Sequence, residues 1–188
     1  MVLDGNDNEL AKAERFRAAA LPYLDDVYTL ARYLLSNPAD AEDAAQECYL
    51  RAFRHFGTFR GGPIKPWLLA ILRNVCRAEY ARRAAAAAMQ SGNLDDAGNC
   101  AEGVWNDGDQ SPETNTLHRL DAETVQKLIA QLPDPFREVL VLREINELSY
   151  REIAEVVGTP VGTVMSRLAR ARRLLRNVWL KEEKGSPP

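Results

Sequence analysis

Between Thr159 and Lys181 the chain carries Arg167, Arg170, Arg172, Arg173 and Arg176, with no acid before Glu182. Guanidinium groups supply paired donors that suit the guanine edge and the phosphate oxygens, so an unopposed set on one segment points to nucleic acid. A solvated surface helix usually mixes its charges, and this one does not. Val161, Val164, Leu168, Ala171 and Leu175 repeat at steps of three and four and predict the buried side of a helix. At ~100° per residue the opposite side holds Thr163, Ser166, Arg170 and Arg173, with Arg167 and Ala169 beside them. Short hydroxyls near the N-terminal end followed by arginines is the order a helix needs when that end enters the major groove.

The approach to this segment supports the reading. Ser149-Tyr150-Arg151-Glu152 fits a capping box, in which hydroxyl and carboxylate satisfy orphan backbone donors reciprocally. Ile153, Ala154 and Val157 then give a short apolar face, Gly158 permits a sharp exit, and Thr159-Pro160 is expected to cap and open the next helix. A short helix, a glycine turn and a second helix make a helix-turn-helix.

A second constellation interleaves aromatics with bases: Phe53, Phe56, Phe59, Arg60, Lys65, Trp67, Arg73, Asn74, Arg77, Tyr80, Arg82 and Arg83. Positive charge that tracks a backbone, beside aromatic walls, suits single-stranded DNA. Phe53, Phe56 and Trp67 also fit a core role, so charge carries this inference. Cys48, Cys76 and Cys100 form no CxxC pair, and only His55 and His118 could join them; neither a metal, a cofactor nor a catalytic cluster is expected. Cys48 lies on the stripe Ala41, Ala44, Ala45, Cys48, Ala52 and reads as a small buried hydrophobe.

The elements that must hold these residues read as all-helical. Apolar residues recur at helical spacing from about Leu21 to Leu35, from Pro38 to Phe56 and from Trp67 to Ala88, with Gly57 to Pro66 as a loop. Asp40, Glu42 and Asp43 complement the dipole at the start of the second of these helices. A second set of helices is expected over Leu117 to Gln131, Pro135 to Ile145, Tyr150 to Val157 and Pro160 to Lys181. Between them the composition turns to Gly, Asn, Asp and Ser, and residues 84–116 hold six acids and no base. Such a stretch buries too little apolar surface to offset its ordering entropy. The expectation is therefore two small helical domains, 1–90 and 117–181, joined by a flexible acidic linker at 91–116, with a tail at 182–188.

The net charge of −3 over 188 residues conceals this segregation. Residues 1–59 hold ten acids against six bases, while Arg60 to Arg83 sets six bases against Glu79 alone. Local fields decide what a surface attracts. No run approaches the ~20 apolar residues of a membrane span, and the polar start MVLDGNDNEL lacks a signal peptide's pattern, so a cytoplasmic protein without membrane insertion is expected.

Together these stretches resemble the extracytoplasmic-function sigma factors, small bacterial promoter-recognition subunits. DAEDAAQECYLRAF (Asp40 to Phe53) resembles their polymerase-binding helix, and FRGGPIKPWLLAILRNVCRAEYARR (Phe59 to Arg83) their minus-10 segment. Leu132 to Leu175 resembles their minus-35 domain. The resemblance implies a non-enzymatic subunit that joins core RNA polymerase through Asp43, Gln46, Glu47 and Arg51. It places Arg60, Lys65, Trp67, Arg73, Asn74, Arg77 and Tyr80 at the minus-10 element, where Asn74, Arg77 and the loop Gly61 to Pro66 fall on the strand-melting segment. Thr163, Ser166, Arg167, Arg170 and Arg173 would read the minus-35 element. Met165 and Ala169 stand where many relatives carry basic or bulky residues. An anti-sigma partner is also implied. A self-sufficient helix-turn-helix regulator is the competing reading; it gives the first half no reason to display bases and aromatics.

Overall fold

A computed structural model of the chain describes residues 4–35, 37–91 and 122–185, and among them every regular element is helical. The first unit comprises α1 (Asp4–Ala20), α2 (Leu24–Leu34), α3 (Pro38–His55) and α4 (Ile64–Ser91). The second comprises α5 (Ala122–Ala130), α6 (Asp134–Glu144), α7 (Tyr150–Val157) and α8 (Val161–Gly185). The acidic linker expected over 91–116 lies, beyond Ser91, outside the described residues.

Local chemistry sets these boundaries. Asn37 caps α3 by accepting from the Ala39 amide at 2.9 Å, and Pro38 opens it, where a missing N–H costs nothing. Three expectations are corrected. α1 precedes the anticipated helices; its pattern is faint because, among its residues whose burial is described, Phe16 and Ala20 are the buried ones. The segment from Leu21 is divided, a 3-10 turn at Leu21–Tyr23 with Pro22 inside it preceding α2. α4 begins at Ile64 instead of Trp67, because Pro66 falls in a first turn whose amides have no intrahelical acceptor.

α2 buries Val27, Leu30, Ala31 and Leu34 against α3 and α4. α3 offers the expected small stripe, Ala41, Ala44, Ala45, Cys48 and Ala52, which lets α4 approach closely enough for the Cys48 thiol to reach the Leu68 carbonyl at 3.4 Å. Burial pushes the Cys48 and Cys76 thiols up to about 12, so both stay protonated and inert. Tyr49 donates to the Ala20 carbonyl at 2.9 Å and ties the end of α1 to α3.

In the second unit, Ile129 and Leu132 meet the α6 residues Val139 to Leu142, the α7 residues Ile153, Val156 and Val157, and the α8 residues Val164, Leu168 and Ala171. The two units are not held apart. α2 packs on α6 and α4 packs on α7, and the buried apolar residues of both belong to one continuous cluster.

Candidate nucleic-acid interface

The helix-turn-helix follows from its capping chemistry. Ser149 accepts from the Glu152 amide at 3.3 Å, and the Glu152 carboxylate accepts from the Ser149 amide at 2.8 Å. These bonds hold the Glu152 carboxyl below the usual carboxylate range. Gly158 closes α7 in the left-handed region, φ +65°, where a Cβ would be strained. Thr159 does not cap α8 as expected. The Thr159 amide is spent on the Ala154 carbonyl at 3.1 Å, and its hydroxyl is buried without a hydrogen-bond partner among the described residues.

On α8 the buried side is Val164, Leu168 and Ala171, with Leu175 half-buried, while Val161 is exposed at 37 %. The exposed side runs through Gly162, Met165, Ser166, Ala169, Arg172, Arg173 and Arg176. This rotates the expected outer face. Ser166 and Arg173 remain on it, Thr163 and Arg167 sit at its edge, and Arg170 turns inward with its guanidinium 5.2 Å from the Phe136 ring centroid. The reason is α6: packed along α8, it offers Phe136 as an aromatic face on which a planar cation stacks favourably. Arg172 is partly neutralised by Glu144 at 2.7 Å. The Ser166 hydroxyl donates to the Thr163 carbonyl at 3.0 Å, which fixes its rotamer and leaves its lone pairs outward.

In the first unit the aromatics form a chain of ring contacts. Phe16 meets Phe53 and Phe56 edge-on, Phe56 stacks on Phe59 at 6.3 Å, and Phe59 leans on Trp67 at 5.0 Å. All five pack in or against the core, so these rings are chiefly structural, and Trp67 is only partly exposed, as a wall beside the loop. That loop is exposed from Arg60 to Pro63, with Gly61 and Gly62 at φ +88° and +98°. Asn74 and Arg77 are exposed on α4, one turn apart.

The remaining three candidates behave differently. Lys65 pairs with Asp26 at 2.7 Å, Arg73 pairs with Glu138 of α6 at 2.5 Å, and Tyr80 donates to the Leu34 carbonyl. Burial raises the Tyr80 phenol, and Asp134 and Arg137 of the second unit act on it. Farther along α4, hydrogen bonds from Arg82 and Arg83 pull the Glu79 carboxyl down to about 2.

Asp43 and Gln46 are exposed on α3, and beside them Arg51 donates to Glu47 at 2.6 Å. Leu50 is 54 % exposed in the same stripe, a residue that apolarity alone assigns to the interior. Two other residues had no signal in sequence: Glu138, whose partner lies on α4, and Asn146, the buried polar residue of the turn after α6.

Residues 20–86 match the family described as Sigma-70 region 2, and residues 122–175 match Sigma-70, region 4. The RNA polymerase sigma-H factor of Pseudomonas aeruginosa is 35 % identical over 167 residues, covering 85 % of this chain and 83 % of that protein. The ECF RNA polymerase sigma factor SigW of Bacillus subtilis is 34 % identical over 82 % of this chain and 83 % of its own length. Among solved structures, the sigma factor RpoE bound to the anti-sigma factor NepR from Bartonella quintana aligns with a TM-score of 0.66 at 26 % identity, covering 88 % of this chain and 97 % of that one. CnrH in complex with the cytosolic domain of CnrY shares the fold, with a TM-score of 0.62 at 23 % identity over 89 % and 88 % of the two chains. With both regions matched in order, and relatives of this identity across most of its length, the chain belongs to the extracytoplasmic-function sigma factors, which direct promoter-specific transcription initiation with RNA polymerase.

Proposed function

We propose that this chain acts without catalysis of its own, as a promoter reader with two nucleic-acid surfaces and one polymerase-docking surface, working in the cytoplasm. The observation that carries the reading is the exposed side of α8: Ser166, Ala169, Arg173 and Arg176 present hydroxyl, methyl and guanidinium groups, with no acid on the helix before Glu182. Such a face suits the major groove of a duplex. Arg60, Asn74, Arg77 and the edge of Trp67 suit a melted strand, with Lys65, Arg73 and Tyr80 joining them when freed from their present partners. The division into 1–90, 91–116 and 117–181 assigns one reader to each end of a tether. Among the described residues no helix is long and apolar enough to cross a membrane.

The α3 stripe Asp43, Gln46, Glu47, Leu50 and Arg51 is the proposed polymerase contact. It mixes charge with one exposed leucine, the composition of an interface built on an apolar anchor inside a polar rim. Charge reversal at Asp43 should weaken binding to core polymerase by about tenfold while leaving the thermal midpoint unchanged, since the side chain is exposed. Co-sedimentation with core enzyme measures this, and equal affinity of mutant and wild type would rule the stripe out. An anti-sigma partner is proposed as well, by analogy with the RpoE–NepR and CnrH–CnrY complexes.

A further inference from the structure

The exposed side of α8 changes character along its length. Its N-terminal turns present Val161, Gly162, Met165, Ser166 and Ala169, none of them charged, and the first cation among its exposed residues is Arg172. Val161, Met165 and Ala169 follow one another at steps of four, so they make one apolar strip on the outward face. Met165 is 52 % exposed. Nothing in the fold requires a thioether there: Val164, Leu168 and Ala171 supply the buried side, and Lys, Arg or Gln would propagate the helix as well.

The polar groups around the strip narrow what it can read. Arg170 lies over the Phe136 ring at 5.2 Å and Arg172 pairs with Glu144 at 2.7 Å, so α6 draws both guanidinium groups to its own side. The Ser166 hydroxyl spends its proton on the Thr163 carbonyl at 3.0 Å and offers lone pairs alone, which take an amino group of adenine or cytosine and not a guanine acceptor. The N-terminal part of a recognition helix is the part that meets base edges. In the major groove the apolar group on those edges is the C5-methyl of thymine. A guanine set against the strip would turn two acceptors toward side chains with no donor and leave them unsatisfied.

We propose that Met165 and Ala169 determine base preference by packing on thymine methyl groups, so that the N-terminal half of α8 selects A·T pairs within the minus-35 element. The inference rests on the minus-35 reading of α8. Four residues of helix rise ~6 Å, which spans about two base-pair steps, so the two methyls lie about two steps apart. The unbranched, polarizable side chain of Met165 adapts to an irregular apolar surface, and the single methyl of Ala169 admits the helix closely at the second position.

The test uses the full chain assembled with core RNA polymerase, on a promoter fragment from which run-off transcription shows that it initiates. Each thymine of the minus-35 element, on both strands, is replaced in turn by deoxyuridine, which removes the methyl and leaves the hydrogen-bonding edge intact. Competition binding compares each substituted fragment with the parent, for wild type and for Met165→Ala, and circular dichroism verifies that the variant keeps its helical content. Wild type should lose about fourfold in affinity at two thymines about two steps apart, the worth of one buried methyl each. Met165→Ala should abolish the loss at one of them and keep it at the other, a coupling that a purely structural role would not produce. A minus-35 element without thymine, a wild-type complex indifferent to every methyl, or losses that are the same in wild type and variant would overturn the proposal and leave the minus-35 reading of α8 standing. Affinity unchanged when the whole minus-35 element is scrambled would overturn both.

Discussion

Arg170 and Arg173 look alike in sequence and differ in what surrounds them. A wheel drawn from Val161 places both outward, but Phe136 draws the Arg170 guanidinium onto its ring, while Arg173 stays on the exposed side of the helix. Their substitutions should therefore separate. Arg170→Ala should lower stability by about 1 kcal/mol, through the lost cation–π contact and stem packing, and show as a reduced midpoint in thermal unfolding. Arg173→Ala should leave the midpoint in place and reduce the salt slope of duplex binding by about one ion if its contact is to a phosphate. The reverse assignment of effects would mean that the turned-in arginine is the reader. Residue type was legible here and orientation was not, because a neighbour on another helix fixes the orientation.

At the scale of elements, local chemistry was the most readable. The capping box, Gly158 and Pro38 each act within a few residues, and the structure places α7 over Tyr150–Val157 as the spacing predicts. Ser149→Ala should cost about 1 kcal/mol, measured by urea unfolding. The bonds to Ser149 depress the Glu152 carboxyl, so the stability they add is complete above the ordinary carboxylate range and is lost as pH falls through the lowered folded value. The gap between wild type and Ser149→Ala should accordingly narrow below about pH 4. A gap independent of pH down to acid unfolding would show that Glu152 takes no part in the cap. α1 was illegible for the opposite reason: it makes little apolar contact, and its chief anchor, Phe16, binds to Phe53 and Phe56 some forty residues away, which no local window contains.

For the whole molecule, helical periodicity and the change of composition between the halves suffice for two helical units. The seam between the units did not emerge, since Arg73–Glu138 and Asp26–Asn146 join residues 65 and 120 positions apart and nothing in either neighbourhood marks the other. The central claim is that two readers on one chain confer promoter choice on an enzyme that lacks it. Run-off transcription from genomic promoter fragments, with core RNA polymerase alone, with this protein alone and with both together, tests that claim most directly. Discrete transcripts from a small set of fragments should appear only when both are present. Transcripts unchanged by the protein, together with unaided binding to duplex promoter DNA, would contradict it and identify a self-sufficient helix-turn-helix regulator instead.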